Sequence, residues 1–269
     1  MTIPCNVKFL NTPAFAGLPE NKIAYCHSAG KGPGIIWCGG LKSDMEGSKA
    51  TALHEWARAQ GNSFVRFDYF GHGKSTGRFR DGIISRWAAD TVQVIDELTQ
   101  GPQIIVGSSM GGWTALLAAL ARPAQVKALV LIAPAPDFTE KLMWAGYSDD
   151  IRKTIMEEGI YYEPSDYDEP YEISRNLILD GRENLLLDAP INFKGPVHIL
   201  QGMKDTSVPW QHAQRLIDVL VSDDVEMTLV KGGDHSLSTP QDLERLLGTV
   251  QTVSRHVHGN WQTKTLSAL

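Results

Sequence analysis

The 269-residue chain lacks the features that mark several large protein classes. Its three cysteines, Cys5, Cys26 and Cys38, are too few and too scattered for a disulfide framework or a zinc site. Reduced, packed thiols in a reducing compartment are therefore expected. No block of lysine and arginine occurs, and 25 Lys+Arg stand against 31 Asp+Glu for a net charge of -6. That balance argues against nucleic acid or an anionic membrane surface as the main partner. No run of about 18 apolar residues exists, so no integral membrane segment is expected. Met1–Gly17 has neither a basic n-region nor an apolar h-region, so no signal peptide is expected either. The default location is the cytoplasm, or the mitochondrion if a transit peptide has been removed. No His, Cys and carboxylate set has metal-ligand spacing. Gly71-His72-Gly73-Lys74-Ser75 falls short of a phosphate-binding loop. No cofactor is expected.

What the chain does have is an alternation of strand and helix patterns, which argues for a mostly parallel sheet with helices on both faces. Val7–Leu10 and Ile23–His27 read as an N-terminal hairpin, and Gly34–Cys38 as a buried strand ending at Gly39-Gly40. A helix is expected over Ser48–Gln60, a strand over Ser63–Asp68 and an amphipathic helix over Ile84–Leu98. Strand Gln103–Val106, helix Met110–Arg122 and strand Lys127–Ile132 follow. After an irregular stretch come strand Val197–Leu200, helix Trp210–Leu220, strand Val225–Val230 and helix Leu243–Val253. The tail after His256 shows no pattern and is expected to be loose.

The irregular stretch suggests the domain plan. Residues 1–134 and 195–269 read as one α/β core, and 135–194 as a cap, because so long a connection inside a compact domain usually serves function. The cap holds Trp144, Tyr147, Tyr161, Tyr162, Tyr167 and Tyr171. Between Asp137 and Glu172 lie 11 Asp/Glu against 3 Lys/Arg, a local charge of -8 that exceeds the whole chain's -6. Such a field disfavours polyanionic substrates. The aromatic residues either line an acyl or aryl pocket or form the cap's own small core.

Gly107-Ser108-Ser109-Met110-Gly111 carries the chemistry. An apolar strand, then G-x-S-x-G, then a helix is the setting of a nucleophile elbow. The turn is sharp, so the residues two before and two after the nucleophile must be nearly free of side chain. Gly107 and Gly111 meet that demand for Ser109. Ser108 has Val106 and Met110 at those offsets and does not.

A serine hydroxyl needs a base to take its proton. In this arrangement the chain order is serine, acid, histidine. Gly202-Met203-Lys204-Asp205 and Gly232-Gly233-Asp234-His235 each follow a strand, so Asp205 and His235 are the candidate acid and base. Asp137, after the preceding strand, is the alternative acid, and Asp234 is expected to point elsewhere. The developing oxyanion needs preorganised donors. The N–H of Met110 and that of Leu41, after Gly39-Gly40, are the candidates. His72 lies in a loop before the elbow, the wrong chain order for the base, and reads as structural.

The chain from about Gly34 to Val253 resembles the α/β-hydrolase superfamily. A closer resemblance, to the abhydrolase domain-containing protein ten type, rests on Gly101–Trp113, on Ala121-Arg122-Pro123 and on Gly202–Trp210. That family includes a mitochondrial palmitoyl-protein thioesterase that also cleaves acyl-glucuronides. The resemblance implies an α/β-hydrolase fold, a triad at Ser109, Asp205 and His235, and an acylated substrate, small or protein-borne. The oxyanion loop departs from the family pattern, with Cys38-Gly39-Gly40-Leu41 in place of Pro-Gly-Tyr. The start of the chain close to its first strand suggests a bacterial-style relative.

The expected activity is hydrolysis of a carboxylic ester or thioester through an acyl-enzyme. A C–C bond hydrolase or an acyltransferase would use the same residues. A non-catalytic interaction protein on this fold would be expected to lose one of them.

Overall fold

A computed structural model describes residues 5–164 and 170–266, with side chains to residue 259. The strands in chain order are β1 (Lys8–Thr12), β2 (Asn21–Ser28), β3 (Gly34–Cys38), β4 (Phe64–Phe67), β5 (Gln103–Ser108) and β6 (Val126–Ile132). They continue with β7 (Ile160–Glu163), β8 (Tyr171–Ser174), β9 (Val197–Gly202) and β10 (Val225–Val230). The helices are α1 (Ser48–Ala59), α2 (Ile84–Leu98), α3 (Met110–Ala121), α4 (Asp149–Glu158), α5 (Arg175–Glu183), α6 (Trp210–Val219) and α7 (Pro240–Leu266).

One eight-stranded sheet runs β1-β2-β4-β3-β5-β6-β9-β10. From β4 to β10 its neighbours are parallel, and β2 is antiparallel to both β1 and β4. The two-residue period of the strands divides the core. Ile36, Ile105, Leu129, Leu131 and Ile199 face one cluster, under α2, α3 and α6. Their neighbours Ile35, Ile104, Val106, Val130 and Leu200 face the other, under α1 and α7. Strands buried on both faces read as continuous apolar runs, which is why β3, β5 and β6 are plain in the sequence.

Residues 135–194 add no strand to this sheet among the described residues. A π-helical turn at Thr139–Trp144 leads to α4, the separate antiparallel pair β7–β8, and α5. Ser148 and Ser174 cap α4 and α5, accepting from the N–H of Ile151 and of Leu177. Tyr147, Ile155, Ile173 and Ile178 form a small core of their own, with Trp144, Tyr161 and Tyr171 against it. Asp166, Tyr167, Asp168 and Glu169 lie outside the described residues.

Two expectations need correction. The chain after His256 is helical to Leu266, as the end of α7. Its apolar face, Leu246, Val250, Val253 and Val257, is buried against the sheet, and that tertiary contact carries the helix past the apolar pattern. Cys5 and Cys26 are joined in a disulfide rather than held as separate thiols. Antiparallel pairing of β1 with β2 brings together two cysteines that are 21 residues apart in sequence. Cys38 remains free, and complete burial pushes its thiol up to about 12. No helix among the described residues is long and apolar enough to cross a membrane.

Candidate active site

The loops after β3, β5, β9 and β10 all leave the carboxyl ends of parallel strands, where open α/β sheets place their sites. Ser109 connects β5 to α3 with φ 55° and ψ -120°, a strained conformation for a residue with a side chain. Its backbone is fixed on three sides: its N–H donates to the Ile132 carbonyl at 2.9 Å, and its carbonyl accepts from Gly112 and Ala135 at 2.8 and 3.1 Å. The flanking glycines are required. A Cβ on Gly111 would lie 2.1 Å from the Cys38 carbonyl oxygen, and one on Gly107 would lie 2.4 Å from that of Gly111.

Three side chains form one chain of hydrogen bonds. Ser109 Oγ lies 3.1 Å from His235 Nε2. His235 Nδ1 lies 2.7 Å from Asp205 Oδ2. The Asp205 side chain is fully buried, whereas that of His235 is 34% exposed to the cleft side. The second Asp205 oxygen accepts from the N–H groups of Ser207 and Val208 at 2.9 and 2.8 Å. Because both are donors only, they fix the plane of the carboxylate. The sequence reading missed Gln201, buried at the end of β9, whose Nε2 donates to Asp205 Oδ2 at 3.2 Å and to the Val208 carbonyl at 3.0 Å. A glutamine inside an otherwise apolar core strand was the available signal. Lys49 of α1 was also missed: its ammonium donates to the carbonyl of Ser236, next to the histidine. Burial lowers its pKa, against the opposing pull of Asp234 and Asp242.

The rival acids have other roles. Asp234 accepts from the Leu237 N–H at 2.9 Å, inside its own turn. Asp137, fully buried, accepts from Leu186 and Leu187 N–H at 2.8 Å each. It thereby clasps the start of the 135–194 segment to its end. Burial is the main cause that raises its pKa, with the two backbone donors opposing. In Asp137→Ala two buried N–H groups lose their acceptor, at about 1–3 kcal/mol each. Unfolding in denaturant should show a loss of roughly 2–5 kcal/mol, with kcat per folded molecule within about tenfold of wild type.

Met110 follows Ser109 in the chain, and Leu41 lines the same cleft. Met110 is the first residue of α3, so its N–H has no acceptor within the helix. Gly40 approaches closely enough that a Cβ on it would stand 3.5 Å from Ser109 Cβ. The loop is held by Arg66, Asp68 and His72. Asp68 accepts from Met45 and Lys74 N–H at 2.7 and 2.8 Å, and Arg66 donates to the Met45 carbonyl at 2.7 Å. His72 is buried among Tyr69, Phe79 and Trp87 and bonds the Lys42 N–H. Its two ring nitrogens are thereby both taken up by backbone groups, of Phe70 and of Lys42.

Burial holds the His72 imidazole down to about 4, against about 6.5 when unfolded. Between those values the unfolded chain binds the extra proton, so this group's stabilisation is complete above about 6.5 and is lost as pH falls toward about 4. Asp68 and Asp90, raised to about 6 by burial, act with the opposite sign. Between pH 7 and 5, denaturant titrations should therefore show wild type losing more stability than His72→Gln.

Ser109, His235, Leu41 and Met110 open onto a cleft of about 1070 Å³. One wall is apolar, with Phe138, Leu142, Met143 and Val208. Glu163, Asp234, Lys49 and Lys204 line other parts. The wall at 138–147 comes from the segment read as a cap.

Known proteins resemble this chain over most of its length. The family model described as Serine aminopeptidase, S33 (Hydrolase_4) matches residues 36–158. The human mitochondrial palmitoyl-protein thioesterase ABHD10 is 37% identical over 247 residues, which is 91% of this chain and 79% of the relative. The chain belongs to the ABHD10 family of α/β-hydrolases. The mouse ABHD10 structure superposes with a TM-score of 0.85 at 36% identity, covering 94% of this chain and 99% of the other. A putative hydrolase from Agrobacterium vitis S4 superposes with a TM-score of 0.89 at 41% identity, covering 93% and 99%. The α/β-hydrolase fold expected from the sequence is thus present, and as an ABHD10-family member the chain is a hydrolase of the ester and thioester class. The curated ABHD10 relatives are named as mitochondrial and lend no support to the cytoplasmic expectation.

Proposed function

We propose that this protein is a serine hydrolase that cleaves long-chain acyl thioesters or esters through an acyl-enzyme on Ser109. The hydrogen-bonded series Ser109–His235–Asp205, opening onto a cleft with an apolar wall, carries this reading. Ser109 gives its proton to His235 Nε2 as Oγ bonds the acyl carbon. The carbonyl oxygen becomes an oxyanion held by the Leu41 and Met110 N–H groups. The C–S or C–O bond then breaks, and His235 returns the proton to the leaving thiol or alcohol. Water, activated by the same histidine, releases the acid and restores Ser109. Asp205 keeps the proton of the resting imidazole on Nδ1 and stabilises the imidazolium.

Residues 135–194 act as a cap in this reading, supported by their separate small core and by Phe138, Leu142 and Met143 in the cleft wall. The acyl chain lies along that wall, in keeping with the palmitoyl-protein thioesterase relatives. A panel of p-nitrophenyl esters and acyl thioesters of two to sixteen carbons tests the assignment. The expected result is a kcat/KM that rises with chain length, by about threefold or more per pair of buried methylenes. Hydrolysis confined to acetyl substrates would overturn the long-chain assignment.

A further inference from the structure

The loop that presents Leu41 rests on a histidine that the reaction itself does not use. His72 is 3% exposed and makes one hydrogen bond from each ring nitrogen. Nδ1 lies 3.1 Å from the Phe70 carbonyl oxygen, which can only accept. Nε2 lies 3.0 Å from the Lys42 backbone nitrogen, which can only donate. Both partners demand the same state, a neutral ring with its proton on Nδ1 and a lone pair on Nε2. The Phe70 carbonyl also accepts from Trp87 Nε1 at 3.0 Å, and Tyr69, Phe79 and Trp87 surround the ring edge-on. The acceptor aimed at Lys42 is therefore rigid.

Lys42 has φ 56°, a left-handed conformation disfavoured for a residue with a side chain. Such strain persists only where the surroundings over-determine it. Two hydrogen bonds do so here. The Ser43 N–H donates to the Gly40 carbonyl at 3.2 Å, which orients the peptide plane that also carries the Leu41 N–H. The Lys42 N–H to His72 fixes the next plane. Together they fix the two peptide planes on either side of Leu41.

We propose that His72 is a positioning residue for the reaction, which sets the Leu41 N–H for the oxyanion through the backbone of Lys42. This rests on the proposed function above. Removing one oxyanion donor costs about 10²–10³ in kcat, and loosening one should cost roughly 10–100-fold. Three variants separate the role from mere folding. His72→Gln carries its carbonyl oxygen to the place of Nε2 and keeps an acceptor for Lys42. His72→Asn reaches only the place of Nδ1, and His72→Leu offers neither group.

The test is kcat, KM, thermal midpoint and the inhibition constant of an acyl trifluoromethyl ketone, which forms a hemiketal oxyanion on the serine. The expected result is kcat within about threefold of wild type for His72→Gln. His72→Asn and His72→Leu should lose about 10–100-fold in kcat, with little change in KM. Their ketone affinity should weaken in step with kcat/KM. Equal kcat for the Gln and Asn variants, or lost activity with unchanged ketone affinity, would overturn the proposal. Labelling of each variant with a fluorophosphonate keeps the two levels apart. If wild type is not labelled at Ser109, the proposed function fails. If it is labelled and the Gln and Asn variants do not differ, only the role of His72 fails.

Discussion

Ser109→Ala is expected to lower kcat by about 10⁴-fold or more for every ester and thioester the protein cleaves. Without Oγ no acyl-enzyme forms, and only direct attack by water on a bound substrate remains. Under the proposed mechanism, any residual rate comes from the Leu41 and Met110 donors and the binding cleft. The fold should tolerate the change. Alanine keeps the Cβ that already stands in the elbow, and the backbone bonds of residue 109 to Ile132, Gly112 and Ala135 involve no side chain. Thermal unfolding should therefore stay close to wild type, so lost turnover reads as lost chemistry. Activity within tenfold of wild type in Ser109→Ala would remove the serine from the mechanism.

Asp205→Asn should be nearly as severe, roughly 10³–10⁴-fold in kcat, through one proton in the wrong place. The Ser207 and Val208 N–H groups fix which oxygen position must accept. The asparagine carbonyl takes that position, and its NH₂ group takes the place of Oδ2. Two donors then meet there. Gln201 Nε2, which now donates to Oδ2, faces another N–H. His235 Nδ1 has to become the acceptor, which moves its proton to Nε2. An Nε2 that carries a proton cannot take one from Ser109. The variant should thus bind substrate with a similar KM but turn it over slowly. The contrast with position 137 is informative, because its carboxylate oxygens are spent on Leu186 and Leu187. A loss of under tenfold for Asp205→Asn, or a loss of 10³-fold for Asp137→Asn, would reverse the two roles.

Much of this was legible in the sequence because the signals are local. Strand β5 is an apolar run that ends in Gly107, and the elbow needs small residues at fixed offsets, so Ser109 separates from Ser108 on sterics alone. Asp205 and His235 stand in short loops after strands, and strand order does the rest. The missing parts depend on distant partners. The Cys5–Cys26 disulfide is set by the pairing of β1 with β2 across the 13–20 connection, which no cysteine spacing shows. The extension of α7 rests on contacts with the sheet. Within 135–194, β7 and β8 are four residues each and, among the described residues, pair with one another alone, too short for a two-residue period to stand out. The contact of Lys49 with Ser236 and the bond from Lys42 to His72 join segments far apart in the chain, and no motif spans them.

An acyl-enzyme on Ser109 can be trapped and weighed directly. Wild-type protein mixed with a slowly deacylating p-nitrophenyl ester is quenched in acid during turnover, and its intact mass and peptides are measured. The expected result is one added acyl group per chain, on the peptide that contains Ser109, released on longer incubation and missing from Ser109→Ala. Turnover without any adduct, or an adduct on another residue that decays at the turnover rate, would contradict it.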